Sequence, residues 1–262
     1  MKTIQGDFSA PPGEPWQRHL PPGSRIEAHG GAWRFSNQPA DGSRYTNAQI
    51  DDYQNLPRRA FRWQPPLSLR VRARFSANAD GLHGTAGFGF WNDPFAMTGG
   101  RLPALPRAIW FFFASAPSDL PLDMQTPGRG WKAAMIDALR LPFFLLAPTA
   151  PLAVPLMNIR ALYRTLWPVG QRAVGVREAT LELDMTVWHD YELHWGRRYA
   201  RFLVDGSPVL EADDAPGGRL GFVMWIDNQA MIATPWGRFA WRTLPLPQEQ
   251  WMEVAGLEIQ AG

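Results

Sequence analysis

The sequence contains no cysteine. That excludes disulfide bridges, thiolate metal centres and cysteine nucleophiles, and it leaves the compartment open because secreted proteins can also lack cysteine. A long apolar run is missing too. The least charged stretch, Phe143 to Met157, is broken by Pro148, Pro151 and Pro155, and it is shorter than the about 20 residues that a bilayer-spanning helix needs. The first residues, Met-Lys-Thr-Ile-Gln-Gly-Asp-Phe, hold no apolar core of signal-peptide length, so a cytoplasmic location is expected. Basic residues form no run: the net charge is +2 despite a pI near 9.2, and the arginines are scattered, so no nucleic-acid partner is expected. There is no Gly-x-Ser-x-Gly, no phosphate loop and no dinucleotide fingerprint. The histidines at 19, 29, 83, 189 and 194 lack zinc-ligand spacing, and no calcium loop is recognisable. Neither a cofactor nor a metal ion is expected, and no feature bears on oligomeric state.

What is present points to β structure. The 25 Pro and 24 Gly are spread along the chain, which means frequent turns and few long helices. With 13 Trp, 15 Phe and 5 Tyr, the chain has aromatics enough for a thick sandwich core or a stacking groove. Strands are expected at Ser24 to Ala28 and Ala32 to Phe35. Leu67 to Phe75 alternates most clearly, with Leu69, Val71, Ala73 and Phe75 on one face and Arg70, Arg72 and Arg74 on the other. Thr85 to Trp91 is a Gly-rich strand, and Ala108 to Ala114 is apolar on both faces, so both are placed centrally. Further strands are expected at Thr180 to Val187, Tyr191 to Trp195, Tyr199 to Val204, Val209 to Ala212, Arg219 to Ile226, Arg238 to Trp241 and Met252 to Ile259. No internal repeat interrupts this series.

From about 118 to 176 the pattern changes. Trp131 to Leu141 fits a short amphipathic helix ended by Pro142, and Asn158 to Trp167 offers a second one. Three roles compete for this segment. It packs on the sandwich edge, or forms a lid over an apolar pocket, or, as the least favoured option, makes an interfacial membrane contact.

Trp188-His-Asp-Tyr-Glu-Leu-His-Trp195 followed by Arg201-Phe-Leu-Val-Asp-Gly-Ser-Pro-Val209 alternates with the strand period, and Asp205-Gly206 suits a tight turn needing positive φ. This pattern resembles the concanavalin A-like jelly roll, most closely the laminarinase-type glycoside hydrolases (family 16-like). The order of the charged alternating strand, the Gly87-Phe-Gly-Phe-Trp91 strand and this hairpin carries the resemblance over about two thirds of the chain. It implies an all-β, two-sheet antiparallel jelly-roll sandwich over residues 1–262 as one domain, with a short helical, Pro-rich insertion at about 118–176. In enzymes of that type a strand bearing Glu-x-Asp-x-Glu sets two carboxylates about 5.5 Å apart on one face for a retaining mechanism. Here the corresponding strand is Ala108-Ile-Trp-Phe-Phe-Phe-Ala114, which has no carboxylate. Ile, Trp and Phe supply neither nucleophile nor proton donor.

The expected function is therefore ligand binding in a concave, largely apolar groove, the ligand being a glycan or a hydrophobic small molecule, without glycosidase catalysis of the family type. Trp91, Asp93, Trp110, Trp225, Asp227 and Asn228 are the candidate lining residues, and Tyr45, Asn47, Asp51 and Asp52 form a polar cluster at the rim. Core packing competes for each Trp, and turn capping competes for each Asp. Two alternatives stay open. One is an enzyme in the same groove, either a displaced-acid glycoside hydrolase using Glu182 and Asp184 or a catalyst using Asp93 or Asp227; the other is an interaction protein docking through the apolar insertion.

Overall fold

The computed structural model describes residues 2–96 and 102–262. Alternating strands assemble into two antiparallel sheets, numbered in chain order. One sheet runs β13 (Ser207–Ala212), β12 (Ala200–Val204), β11 (His189–Trp195), β6 (Leu67–Phe75), β17 (Gln250–Ala261), β4 (Ala32–Asn37) and β3 (Ser24–His29), with β1 (Lys2–Gln5) also paired to β17. The other runs β10 (Arg177–Thr180), β9 (Gly130–Asp137), β8 (Arg107–Ala114), β7 (Thr85–Trp91), β14 (Gly221–Asp227), β5 (Asn47–Asp51) and β2 (Gln17–His19). A separate two-stranded ribbon joins β15 (Gln229–Ala233) to β16 (Phe239–Thr243). This is the expected two-sheet sandwich.

The core lies between the two large sheets. From β6 come Leu69, Val71, Ala73 and Phe75; from β7, Phe88 and Phe90; from β8, Ile109, Phe111 and Phe113. Phe88, Phe111, Trp131 and Tyr191 meet edge-on, tilted or stacked with ring centroids 5.1–6.4 Å apart, short of the face-to-face sandwich that aromatic quadrupoles disfavour. The arginines of β6 point the other way and find acids in register on neighbouring strands: Arg72 opposite Asp190, Arg70 opposite Glu192, Arg74 opposite Glu253.

The hairpin motif has structural work in every residue that carries it. Tyr191, Leu193 and Trp195 enter the core, His189 Nδ1 lies 2.6 Å from Asp205 Oδ2, and Trp188 stacks under the Arg74 guanidinium at 4.7 Å. Asp205 and Gly206 take φ of 50° and 76°, and they join β12 to β13 rather than β11 to β12.

Two expectations fail. Trp131 to Leu141 is not a helix: its first part is β9, held between β8 and β10. Trp131, Ala133 and Met135 enter the core while Lys132 and Ala134 face outward, a period of two that alanines and one paired lysine disguise as a helical stripe. Helix begins only at α1 (Leu141–Leu146), followed by α2 (Ala150–Leu156) and α3 (Arg160–Ala173). Thr180 to Val187 is not a strand beyond Thr180. Asp184 Oδ1 accepts hydrogen bonds from the Thr186 N–H and hydroxyl, which turns the chain, and the Met185 N–H goes to Asn78 Oδ1. Glu182 and Asp184 stand exposed on this loop, so the paired carboxylates of a displaced glycosidase are absent from the groove.

Candidate functional site

The seven-stranded sheet turns one face to the core and the other outward, and its register fixes what the outer face carries. Crossing from β5 to β9, one row reads Gln49, Trp225, Gly87, Phe112, Lys132. The next reads Asp51, Val223, Gly89, Trp110, Ala134, and then Glu178 on β10. Ala108, Trp110, Phe112 and Ala114 are the outward positions of β8, the strand that the resemblance sets against the acid-bearing strand of the glucanases.

Glycine makes this floor possible. A Cβ on Gly87 would lie 3.0 Å from the Trp225 ring and 2.3 Å from the Phe111 carbonyl oxygen; one on Gly89 would lie 2.5 Å from Trp110 Cβ. The two glycines of Gly87-Phe-Gly-Phe thus let the large side chains of the flanking strands close over β7. Trp110 contacts Trp91, Phe112 and Trp225 with centroids 5.6, 5.2 and 5.4 Å away. Towards one end Tyr53 and Phe61 fold onto this cluster, and Trp91 Nε1 donates to the Tyr53 hydroxyl at 2.6 Å.

What remains is a cavity of about 300 Å³, at the lower end of the range for small-molecule sites. Its floor is Trp110, Phe112 and Trp225; Trp91, Ile136 and Met231 add apolar wall. Leu120, Leu122, Phe95 and the β15 ribbon complete it. Among the described residues none from α1, α2 or α3 lines it, so the helical part of the insertion is not the cover expected of a lid. Those helices instead brace the covering loop: Trp167 Nε1 donates to the Leu122 carbonyl at 2.8 Å and Gln171 Nε2 to Asp123 Oδ2 at 2.7 Å.

Besides Tyr45 and Arg107, three ionisable groups among the described residues face this apolar chamber. Lys132 is 2% exposed, with Nζ 3.0 Å from Glu178 Oε2. Burial pushes the Glu178 carboxyl above its ordinary value, and Lys132 opposes that. Asp227 is pushed up by burial to about 7, although its Oδ1 accepts from the Thr85 N–H and hydroxyl and the Gln229 N–H. The Thr85 hydroxyl in turn accepts from Trp225 Nε1 at 2.8 Å, tying the floor to this carboxyl.

The two carboxyls do not form a hydrolytic pair. Glu178 on β10 and Asp227 on β14 are separated by β9, β8 and β7. At the usual strand spacing that is on the order of 19 Å along the sheet, against about 5.5 Å for retention and 6.5–9.5 Å for inversion.

Of the six expected lining residues, Trp91, Trp110, Trp225 and Asp227 line one cavity. Asp93 and Asn228 do not. Asp93 is fully buried in a turn at φ 46°, its carbonyl accepting from the Arg58 guanidinium at 2.6 Å. Asn228 holds loops together: its Oδ1 accepts from the Thr46 N–H, and its Nδ2 donates to the Arg44 and Leu244 carbonyls. Within the polar cluster, Tyr45 lines the cavity, and Asn47, Gln49 and Asp51 form a ladder along β5, each amide donating to the next residue. Asp52 points to the other side, accepting from Trp63 Nε1 and the Phe222 N–H, and burial pushes it up to about 6. Phe112, Lys132 and Glu178 were missed. Phe112 stands two residues from Trp110 on the same strand, which was signal enough; Lys132 was hidden by the helical reading of its strand.

No family model matches the sequence, and no curated protein matches it. Solved structures match its fold. The GlcNAcα1-4Gal-releasing endo-β-galactosidase of Clostridium perfringens superposes with a TM-score of 0.58 at 12% identity, over 98% of this chain and 60% of that one; the chain thus spans less than two thirds of that enzyme's structure. A prokaryotic β-1,3-1,4-glucanase (lichenase) derived from a mouse hindgut metagenome gives 0.53 at 13% identity, covering 100% of both chains. An immunostimulatory antigen and pseudo β-1,3-glucanase of Mycobacterium tuberculosis gives 0.55 at 10% identity over 99% and 98%. At such identities the likeness is one of fold: the concanavalin A-like jelly roll of the glucanases.

Proposed function

We propose that this chain is a ligand-binding jelly roll whose cavity takes a small amphipathic molecule, and that it does not carry out the hydrolysis associated with the fold. The observation that carries this reading is the outer face of β8, where Trp110 and Phe112 stand in register with Gly89 and Gly87, and Ala108 with Trp91, and make the floor apolar. An aliphatic or flat ring body lies on Trp110, Phe112 and Trp225, and an anionic group of the ligand reaches Lys132 in exchange for part of its contact with Glu178. A glycan is the second reading. Tyr45 and Gln49, polar members of the lining, favour it, as do the glycan-active enzymes among the neighbouring folds.

Titration of the intrinsic tryptophan fluorescence with dodecanoate and with a laminari-oligosaccharide separates the two. Dodecanoate should bind with a saturable change, and Trp110→Ala should weaken it roughly tenfold through loss of the floor. Binding of the oligosaccharide alone would transfer the site to glycans. If neither ligand bound, or if Trp110→Ala bound dodecanoate as well as the wild type, the cavity reading would be refuted.

A further inference from the structure

The helical segment and the β15–β16 ribbon present an apolar surface that neither sheet covers. Between Arg140 and Arg160 the chain has no charged residue. Leu141, Leu145 and Leu152 in this stretch are 71%, 70% and 71% exposed, and Phe144, Leu156 and Ile159 are exposed as well. Soluble surfaces scatter such residues singly; a cluster of this kind marks a contact surface. The cluster is anchored on its inner side by Met157 and Trp167, which are buried, so its outward leucines are not the helices' means of packing.

The ribbon extends the surface. Asn158 Nδ2 donates to the Trp236 carbonyl at 3.3 Å, the Tyr163 and Trp236 rings meet edge-on at 5.2 Å, and a Cβ on Gly237 would lie 2.8 Å from Val154. Beyond this junction Phe239 and Trp241, two apart on β16, are 63% and 66% exposed. Phe239 also meets Phe95 of the cavity wall, with ring centroids 6.5 Å apart.

Charge chooses the partner. Neither 138–176 nor 229–243 contains an Asp or a Glu, whereas Arg160, Arg164, Arg172, Arg238 and Arg242 of these segments are exposed. A protein interface of mixed charge would leave these guanidinium groups to be matched one by one. A layer of anionic headgroups over an apolar interior matches the acid-free, arginine-bearing character of these segments, together with the leucines and an interfacial Trp. We propose that this face docks onto an anionic lipid bilayer, lying in the interface plane; no described helix is long and apolar enough to cross one.

Co-sedimentation of the full chain with vesicles of phosphatidylcholine, with and without phosphatidylglycerol, tests this without any cavity ligand, so its outcome is separable from that of the fluorescence titration. The wild type should pellet with the anionic vesicles and be released by salt. Leu145→Glu with Leu152→Glu, both at exposed positions, should lower the partition coefficient roughly tenfold or more at unchanged circular dichroism and Tm. Arg160→Ala with Arg164→Ala should remove much of the preference for phosphatidylglycerol. The proposal is overturned if the wild type stays in the supernatant with both vesicles, or if the Leu145→Glu, Leu152→Glu protein pellets equally well. It is also overturned if the wild type ignores vesicles and sediments as a dimer that this variant converts to monomer, which would assign the face to a second copy.

Discussion

Replacing Asp227 by Asn tests whether the cavity wall is as dry as its lining implies. In the unfolded chain this carboxyl ionises near its ordinary 3.8, whereas burial moves it to about 7 in the native protein. Below the unfolded value both states hold the proton and no stability is lost. As the pH rises past it, the unfolded chain ionises while the native state keeps its proton, so the native state loses about 1.4 kcal/mol for each pH unit until the native value is passed. From about pH 5 to about pH 8 the wild type should therefore lose about 3 kcal/mol through this group. Asn keeps the acceptor that the Thr85 and Gln229 donors use, and it has no proton to lose. Urea unfolding followed by tryptophan fluorescence, at several pH values for both proteins, reads the difference directly. Whatever the offset from placing an amide where the carboxyl was, Asp227→Asn should gain about 2–3 kcal/mol on the wild type across that range. A difference that stays constant with pH would mean that Asp227 ionises in the native state as an ordinary surface carboxyl does, and the desolvated wall would have to be abandoned.

Three further outcomes follow from the same geometry. Gly89→Ala, whose Cβ would lie 2.6 Å from the Ile109 carbonyl oxygen and 2.5 Å from Trp110 Cβ, should cost about 2–4 kcal/mol in thermal or urea unfolding; a neutral substitution would disprove the close approach of β7 and β8. Lys132→Met should cost about 3–5 kcal/mol at neutral pH by leaving Glu178 buried and unpaired, and adding Glu178→Gln should recover most of it; a double-mutant cycle with no coupling would contradict the buried pair. At Glu253, burial pushes the carboxyl up, but hydrogen bonds and charge from Arg74 and Arg34 outweigh it and hold the group below its ordinary value. Its stabilisation is present above the ordinary value of 4.5 and is lost as the pH falls, so Glu253→Gln should unfold earlier than wild type at neutral pH and converge with it in acid.

The sandwich was legible because its central strands carry alternation that only a two-faced sheet satisfies. Leu67–Phe75 and Thr85–Trp91 have the ends their residues suggested, since arginine rows and glycine rows leave little choice of face. Where alanines fill a strand the period is ambiguous. Trp131 to Leu141 satisfies a helix as well as a strand on paper, and the pairing with Phe111 and Phe113 across the sheet decides it. Trp91, Trp110, Trp225 and Asp227 could be placed together because strand order brings β7, β8 and β14 side by side. Lys132 and Glu178 could not, because which edge β9 and β10 join depends on long-range pairing that no local pattern encodes. Asp93 and Asn228 look like groove residues at strand ends, yet they are spent on loop geometry, as short polar side chains beside turns often are.

Placing on β8 the acids that laminarinase-type enzymes carry on such a strand puts the apolar floor to its hardest test. Ala108→Glu, Trp110→Asp and Phe112→Glu would place three carboxyls at alternate positions of β8, all on its outer face. Spacing alone is then right for a glucanase. The surroundings are not: the new side chains at 110 and 112 would lie beside Gly89 and Gly87 on one strand and Ala134 and Lys132 on the other, in a space shaped by Trp91 and Trp225. Lys132 can pair with one of them only by releasing Glu178, and the remaining acids stay buried without partners, at several kcal/mol each. The expected result is a protein of lowered Tm that releases no reducing sugar from any β-glucan. Release of sugar by the triple variant would show that a glucan path survives beneath the tryptophans, and the reading of this face as a site for an amphipathic ligand would fall with it.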